Sequence, residues 1–187
     1  RGGLKLEAAL DAFGISVCGL RALDIGASTG GFTDCLLSRG AAQVTAVDSG
    51  HGQLSARLAA DSRVRSLEGM NARYLSAAEV GTGYDIAVMD VSFISQTLIL
   101  PVIPALLRDG GELVSLIKPQ FEVGRADVGK GGIVRSAAAR ERAVTAVRTA
   151  ADAVGLKCCG VITSPIQGGD GNTEYLAHFR RAATTGK

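Results

Sequence analysis

Tryptophan is absent from the 187 residues, and aromatic side chains make up only 4% of them. A core from such a chain has to be packed with Ala, Val, Leu and Ile, and a hydrophobic content of 47% is enough for one domain of α/β type. Charge of one sign is lacking too: 20 Lys and Arg face 18 Asp and Glu, leaving +2. That excludes a strong uniform field, so a nucleic-acid partner is permitted but must be met by a local basic surface. Histidine is limited to His51 and His178, and the four cysteines Cys18, Cys35, Cys158 and Cys159 form no C-x-x-C pair. No zinc-ligand spacing is completed, so the expectation is no metal and reduced thiols with a structural role. Long apolar runs are missing as well. The longest charge-free stretch, 91–107, contains Pro101 and Pro104 and falls short of the roughly 20 residues of a membrane span. With no signal peptide visible, the expected setting is soluble and cytoplasmic.

Glycine, by contrast, is plentiful, with 25 residues. The richest use is in 22–37, ALDIGASTGGFTDCLL, where a short strand that Asp24 closes runs through Gly26, Gly30 and Gly31 into a helix carrying Phe32, Leu36 and Leu37. A dinucleotide site of the G-x-G-x-x-G type needs glycine at position 28, which is Ser28. An acid two residues before the first glycine disfavours a pyrophosphate and suits a ligand with an ammonium group, such as the methionyl end of S-adenosylmethionine (SAM). Asp48 ends the next strand, QVTAVD, close to the offset of about 20 residues at which an acid meets a ribose. Together these features predict a nucleoside site. Gly-rich turns also occur in many other α/β proteins, and Asp48 equally suits a helix cap.

Along the chain, Leu4, Leu6, Ala8, Ala9, Leu10 and Phe13 predict a first amphipathic helix ending at Gly14. A crossover helix is expected around Leu54, Leu58 and Ala59, a strand at 64–67, and Asn71 directly after it. The run 84–91 reads as a central parallel strand with Asp90 near its carboxyl end, and 112–118 as another, ended by Lys118 and Pro119. Between them 95–107 is expected to be helical, its prolines notwithstanding, and Gly110-Gly111 to break that helix. The glycine-rich 121–134 reads as a mobile loop. A Ser-capped helix over 136–154 is expected to carry Arg140, Arg142 and Arg148 on wet faces. Strands at 156–162 and 174–179, joined by SPIQGGDGNT, predict a closing hairpin, hence a mostly parallel seven-stranded sheet with one final antiparallel strand and helices on both faces. That ending disfavours a nicotinamide-dependent oxidoreductase, whose βαβ pattern repeats throughout.

Ligands of an open α/β sheet bind outside the carboxyl ends of its strands, and that rule gathers Asp24, Asp48, Asp90 and Lys118. Lys118 reads either as a reactive amine in a partly desolvated site or as a lysine snorkelling to water. Asp90 equally suits a helix cap, Glu174 a solvated strand start, and Asn71 a turn.

Taken in order, RGGLKL, LDIGASTGGFTDCLL, AVDSGHGQL, NARYL, MDVSFIS, IKPQFE with VGKGGIVR, and SPIQGGDGNTEYL resemble the TlyA family of ribosomal RNA ribose 2′-O-methyltransferases, long catalogued as hemolysins, within the FtsJ-like group. The resemblance covers nearly the whole chain. It implies a Rossmann-like SAM-dependent methyltransferase fold over 1–187, with SAM as cofactor and ribosomal RNA or ribosomal subunits as partner. The implied product is cytidine 2′-O-methylation. The family's Lys-Asp-Lys-Glu tetrad falls on Lys5, Asp90, Lys118 and Glu174. Lys118 is then the candidate general base, aided by desolvation and by the like charge of Lys5; Asp90 orients the lysines, and Glu174 holds Lys5 or the ribose. The expected cofactor set is Asp24, Gly26, Ala27, Ser28, Thr29, Gly30, Gly31, Phe32, Asp48, Asn71 and Asp90. Arg125, Lys130 and Arg135 are candidates to clamp RNA phosphates. Family members carry an S4-type RNA-binding domain ahead of the methyltransferase; this sequence opens on Arg1 without it, so a fragment of a longer protein is expected. The competing function is a membrane-active hemolysin.

Overall fold

Successive residues of a strand face opposite sides of its sheet, and the apolar runs of this chain divide the core accordingly. On one side Ala22, Val44, Ile86, Val88, Val114 and Leu176 meet Leu6, Leu10, Phe32, Leu36 and Leu58. On the other Leu23, Ile25, Ala87, Met89, Leu113 and Phe179 meet Ile99, Ile103, Val147 and Ala151. The structure, a computed structural model, describes residues 2–183; Arg1 of the RGGLKL motif lies outside them.

The elements in chain order are α1 (Gly2–Phe13), β1 (Arg21–Ile25), α2 (Gly31–Ser38), β2 (Gln43–Val47), α3 (Ala56–Ala59), β3 (Val64–Leu67), α4 (Ala77–Val80), β4 (Tyr84–Met89), β5 (Leu107–Ile117), α5 (Ala137–Ala153), β6 (Leu156–Thr163) and β7 (Tyr175–Arg181). The strands form one sheet in the order β3-β2-β1-β4-β5-β7-β6. The pairs from β3 through β5 are parallel, whereas β7 runs antiparallel to both of its neighbours, β5 and β6. The expected hairpin is present, and its second strand enters the sheet between β5 and β6. Because β7 is reversed, the residue before it sits at the same edge as the carboxyl ends of β1, β2, β4 and β5. The register pairs Ile117 with Tyr175, so Lys118 and Glu174 follow one another across that edge.

Several expectations are corrected. Residues 95–107 form three short 3-10 turns, Gln96–Leu98, Leu100–Val102 and Pro104–Leu106, instead of a helix. A proline removes an N–H donor and its ring clashes with the preceding turn, so Pro104 starts a new turn and Pro101 sits second in its own. Gly110-Gly111 breaks no helix but lies within β5, where Gly110 has φ +71° and the register with β4 shifts between Tyr84 and Ile86. This is the local irregularity that glycine permits in a strand. The crossover after β2 contains a single helical turn, α3, with Ser55 accepting from the Leu58 amide. The glycine-rich 121–134 is not without regular structure: it contains 3-10 turns at Arg125–Asp127 and Lys130–Gly132 and ends on a buried Val134. Arg142 and Arg148 are exposed as expected. Arg140, however, is half-buried, donating to the Val134 and Arg135 carbonyls and to the Tyr175 hydroxyl.

Candidate active site

Four strand ends and one helix start supply the site. Alternation along β1 sends Leu23 and Ile25 to one face and leaves Asp24 on the face that α2 covers. There Asp24 is fully buried; its Oδ2 accepts from Thr33 Oγ1 at 2.7 Å, while its Oδ1 has no hydrogen-bond partner. Burial raises the Asp24 pKa to about 7; the Thr33 hydrogen bond works against that rise, and the charges of Asp90 and Asp48 add to it. A buried carboxylate oxygen left unpaired is costly and calls for a donor.

The chain after β1 turns at Gly26, with φ +82°, where an added Cβ would lie 2.1 Å from the Asp90 carbonyl oxygen. Only glycine lets β1 and the end of β4 approach this closely. Ser28 follows with φ 51°, and its N–H donates to Asp48 Oδ2 at 2.7 Å while the Gly50 N–H donates to Asp48 Oδ1 at 2.8 Å. Asp48 thus staples the Gly-rich turn to the end of β2. Each carboxylate oxygen accepts more than one hydrogen bond, so a diol can still be bound.

Beside this turn opens a cavity of about 650 Å³, lined among others by Gly26, Ser28, Asp48, Asn71, Asp90, Met70, Ile94 and Phe93. Asn71 lines it and at the same time caps the 3-10 turn Ala72–Tyr74, accepting from the Arg73 N–H. Ala27 and Ser28 border a small crevice next to it with Asp48. Of the expected cofactor contacts, Asp24, which is fully buried, and Thr29, Gly30, Gly31 and Phe32 are not on this lining. Phe32 is 3% exposed and belongs to the core beneath α1, and Gly30 is pressed against Leu54 and Leu58. Gly31 meets Gly3, whose added Cβ would lie 3.0 Å from the Gly31 carbonyl oxygen. Gly31 and Phe32 thereby dock α1 on α2, while Thr29 is exposed beside the turn.

That docking carries Lys5 into the site. The buried positions of α1 are Lys5, Leu6, Ala9 and Leu10, while Leu4 is 55% exposed. The i, i+4 spacing of Lys5 and Ala9 was the signal for this, though a lysine on an apolar stripe is easily read as a boundary residue. Lys5 Nζ contacts Glu174 Oε1 at 2.6 Å, with the two side chains 9% and 3% exposed. Lys118 Nζ lies 2.6 Å from Asp90 Oδ1 and donates to Ser92 Oγ at 2.9 Å. The tetrad residues therefore form two ion pairs, Lys5 with Glu174 and Lys118 with Asp90. The alternatives of a snorkelling Lys118 and a solvated Glu174 do not fit this burial.

Other residues went unnoticed in the sequence. Phe93, two residues past Ser92's neighbour Val91, is 90% exposed, has φ 63° and packs its ring 5.0 Å from that of Phe121. A bulky residue in the left-handed region is strained, and such strain collects at functional sites. Behind Lys118, the buried Gln96 donates to the Leu116 carbonyl and accepts from Ser115 Oγ, while Glu122 accepts from Ser95 Oγ and the Gln96 N–H. This network ties the segment after Asp90 to the end of β5. Asp170 sits near Lys118: desolvation pushes its pKa up, but two hydrogen bonds from Asn172 and the Lys118 charge bring it below the usual carboxylate range. Arg125, Lys130 and Arg135 are all exposed, with Arg135 reaching the Lys130 carbonyl. Among the described residues no group of His, Cys, Asp and Glu is placed to hold a metal ion, and the four cysteines are free thiols.

Comparison with known proteins agrees with this geometry. The rRNA (cytidine-2′-O)-methyltransferase TlyA of Mycobacterium tuberculosis, named as acting on 16S and 23S rRNA, is 48% identical over 96% of this chain and 67% of its own length. Hemolysin A of Brachyspira hyodysenteriae is 48% identical over 96% of this chain and 75% of its own. A solved protein from Streptococcus thermophilus, described as a candidate hemolysin, superposes with a TM-score of 0.94 at 49% identity, covering 97% of this chain and 66% of that one. A more distant N1-methyltransferase from Burkholderia thailandensis, solved with S-adenosylhomocysteine, shares the fold with a TM-score of 0.67 at 19% identity, over 96% of this chain and 78% of that one. The chain spans about two thirds of the length of the curated relatives it matches. The model of the FtsJ-like methyltransferases matches residues 1–181, and with nearly half of its residues shared with curated members, the chain belongs to that family.

Proposed function

We propose that the chain transfers the methyl group of SAM to the 2′-hydroxyl of a cytidine in ribosomal RNA, in the cytoplasm. The observation that carries this reading is the Lys118–Asp90 pair beside the cavity, backed by the buried Lys5–Glu174 pair. The residues present fit the cofactor: the unpaired Asp24 Oδ1 suits its ammonium group, Asp48 its ribose diol and Asn71 its adenine. SAM supplies a methyl group on a positively charged sulfur, an electrophile that needs no metal. What the protein has to supply is a nucleophile and a place for its proton.

A ribose hydroxyl attacks poorly until it is deprotonated. A neutral lysine amine has two N–H bonds and one lone pair. At Lys118 the Ser92 Oγ accepts one N–H bond and the Asp90 carboxylate stands in ion-pair contact, an arrangement that holds the amine at the sheet edge where its lone pair can meet the incoming hydroxyl. Bound SAM would supply the methyl group to O2′ and retain the electron pair of the broken S–CH3 bond, and the hydroxyl proton would pass to Lys118 Nζ. Lys5 is held by Glu174 as a fixed positive charge at the same edge, where it stabilises the developing alkoxide. The exposed Phe93 ring at the mouth offers a flat face to the nucleotide carrying that hydroxyl.

Incubation with methyl-labelled SAM and ribosomal RNA tests the reading directly. The expected result is label in alkali-resistant dinucleotides, the signature of ribose methylation; label confined to bases would overturn it. Exposed Arg125, Lys130 and Arg135 are the proposed phosphate contacts, and the longer relatives leave room for a separate RNA-binding domain in the full-length protein. Replacing all three with Ala is expected to reduce the slope of log affinity against log salt by roughly 2 to 3, since each phosphate contact contributes about 0.7 to 0.9. An unchanged slope in filter-binding titrations would mark them as ordinary solvated charges. The hemolysin names of two relatives belong to this same family, and among the described residues no helix is long and apolar enough to cross a membrane.

A further inference from the structure

Asn172 has no part in the chemistry described so far, yet it is fully buried and every polar atom of its side chain is engaged. Its Nδ2 donates to the Gly132 carbonyl at 2.8 Å and to Asp170 Oδ2 at 2.9 Å, and its Oδ1 accepts from the Val134 N–H at 2.9 Å. Its own N–H donates to Asp170 Oδ1, and its carbonyl accepts from Gly168. One side chain therefore joins two segments distant in sequence. The first is the stretch that carries Lys130 and Arg135; the second is the loop that carries Asp170 and Glu174. A second brace runs parallel to it, because Arg140 donates to the Val134 and Arg135 carbonyls and to the Tyr175 hydroxyl. Glu174 is thus bracketed, two residues before and one residue after, by groups bonded to 132–135.

We propose that Asn172 is a positioning residue that couples engagement of RNA by the basic stretch to the setting of Glu174, and through Glu174 of Lys5. The physical ground is the saturation of the amide. A buried amide with both donors and its acceptor satisfied has no low-energy alternative arrangement, so the two segments move as one body. Force applied to 130–135 when phosphates bind reaches Glu174 instead of being absorbed by a flexible loop. The inference rests on the reading of the site as an RNA methyltransferase, and it assigns Asn172 no contact with either substrate.

Two measurements test it. In the wild-type chain, saturating ribosomal RNA is expected to slow amide hydrogen exchange at 130–135 and also at 168–175. Slowing at 130–135 with none at 168–175 overturns the coupling while leaving RNA binding intact. No slowing at either segment removes the RNA contact and the coupling together. Asn172→Ala, checked for folding by its thermal transition, is expected to lower kcat at least about tenfold, with SAM affinity unchanged and the KM for RNA within about threefold. It is also expected to lose the exchange response at 168–175. A parallel rise in KM with kcat unchanged would make Asn172 part of the RNA-binding surface instead. A wild-type chain that binds RNA with the coupled exchange response but transfers no methyl group refutes the proposed activity and not the coupling.

Discussion

Lys118→Arg is expected to leave the fold and SAM affinity nearly unchanged and to lower methyl transfer to RNA by at least about 10²-fold, the lower end of a general-base contribution. The guanidinium keeps the positive charge and can still pair with Asp90, now 2.6 Å from the lysine amine, so electrostatics at the edge of the sheet are conserved. What it cannot do is release a proton at workable pH and offer a lone pair to the ribose hydroxyl. Lys118→Ala is expected to fail equally badly while leaving Asp90 unpaired. The Asp90 side chain is 27% exposed, so water compensates part of that loss and the variant should fold. Single-turnover assays with SAM in excess separate chemistry from binding. Near-normal turnover in the Arg variant would make Lys118 an electrostatic or phosphate-positioning group and move the base to Asp90 or to solvent.

Asp24→Asn is expected to make the protein more stable and less able to bind its cofactor. Burial holds the folded-state pKa of Asp24 at about 7, above the ordinary carboxylate value of 3.8, so folding favours the neutral form. The cost of holding the charge is absent below about pH 4, grows as pH rises through the interval up to about 7, and is complete above it. Three units correspond to about 4 kcal/mol, from which an imperfectly paired amide takes back about 1 to 3. A gain of about 2 kcal/mol in urea titrations at pH 8, which shrinks with falling pH and becomes a loss of about 2 kcal/mol towards pH 4, is the expected result. Loss of a charge-assisted hydrogen bond should weaken SAM binding by about 1.5 to 3 kcal/mol, or roughly 10- to 100-fold, in calorimetry. A variant less stable than wild type at pH 8, or one that binds SAM as tightly, contradicts the assignment. In the wild type the same linkage predicts proton release on SAM binding below pH 7.

The contrast between legible and illegible parts of this chain has a physical origin. The strand ends at Asp24, Asp48, Asp90 and Lys118 could be read because polar residues closing apolar runs mark where a sheet meets solvent, and topology then gathers them at one edge. The hairpin of β6 and β7 was equally plain from the Gly/Pro-rich connection. Residues 95–107 were misread because an apolar run can be buried without any repeating hydrogen-bond pattern, as it is here in three separate turns. Phe32 adjoins the Gly-rich turn in sequence, yet its side chain packs in the core with Leu6 and Leu10 of α1, a burial that the motif alone does not reveal. Asn172 and Arg140 were invisible for another reason. Their partners lie 40 and 35 residues away, and a polar side chain that ties two loops together leaves no periodic trace.

The position of β7 also has a consequence for how the protein is made. The sheet is complete only when the segment 175–181 has slotted between β5 and β6, and Glu174 reaches Lys5, 169 residues earlier in the chain, by the same event. During synthesis from the amino terminus, β1 to β5 can pair as they emerge, while β6 has no neighbour in the sheet until its successor arrives. A nascent chain stalled before residue 175 would therefore hold a nearly finished nucleoside pocket and an unpaired Lys5. On the proposed reading, the set of Lys5, Asp90, Lys118 and Glu174 is completed only when that last strand has docked.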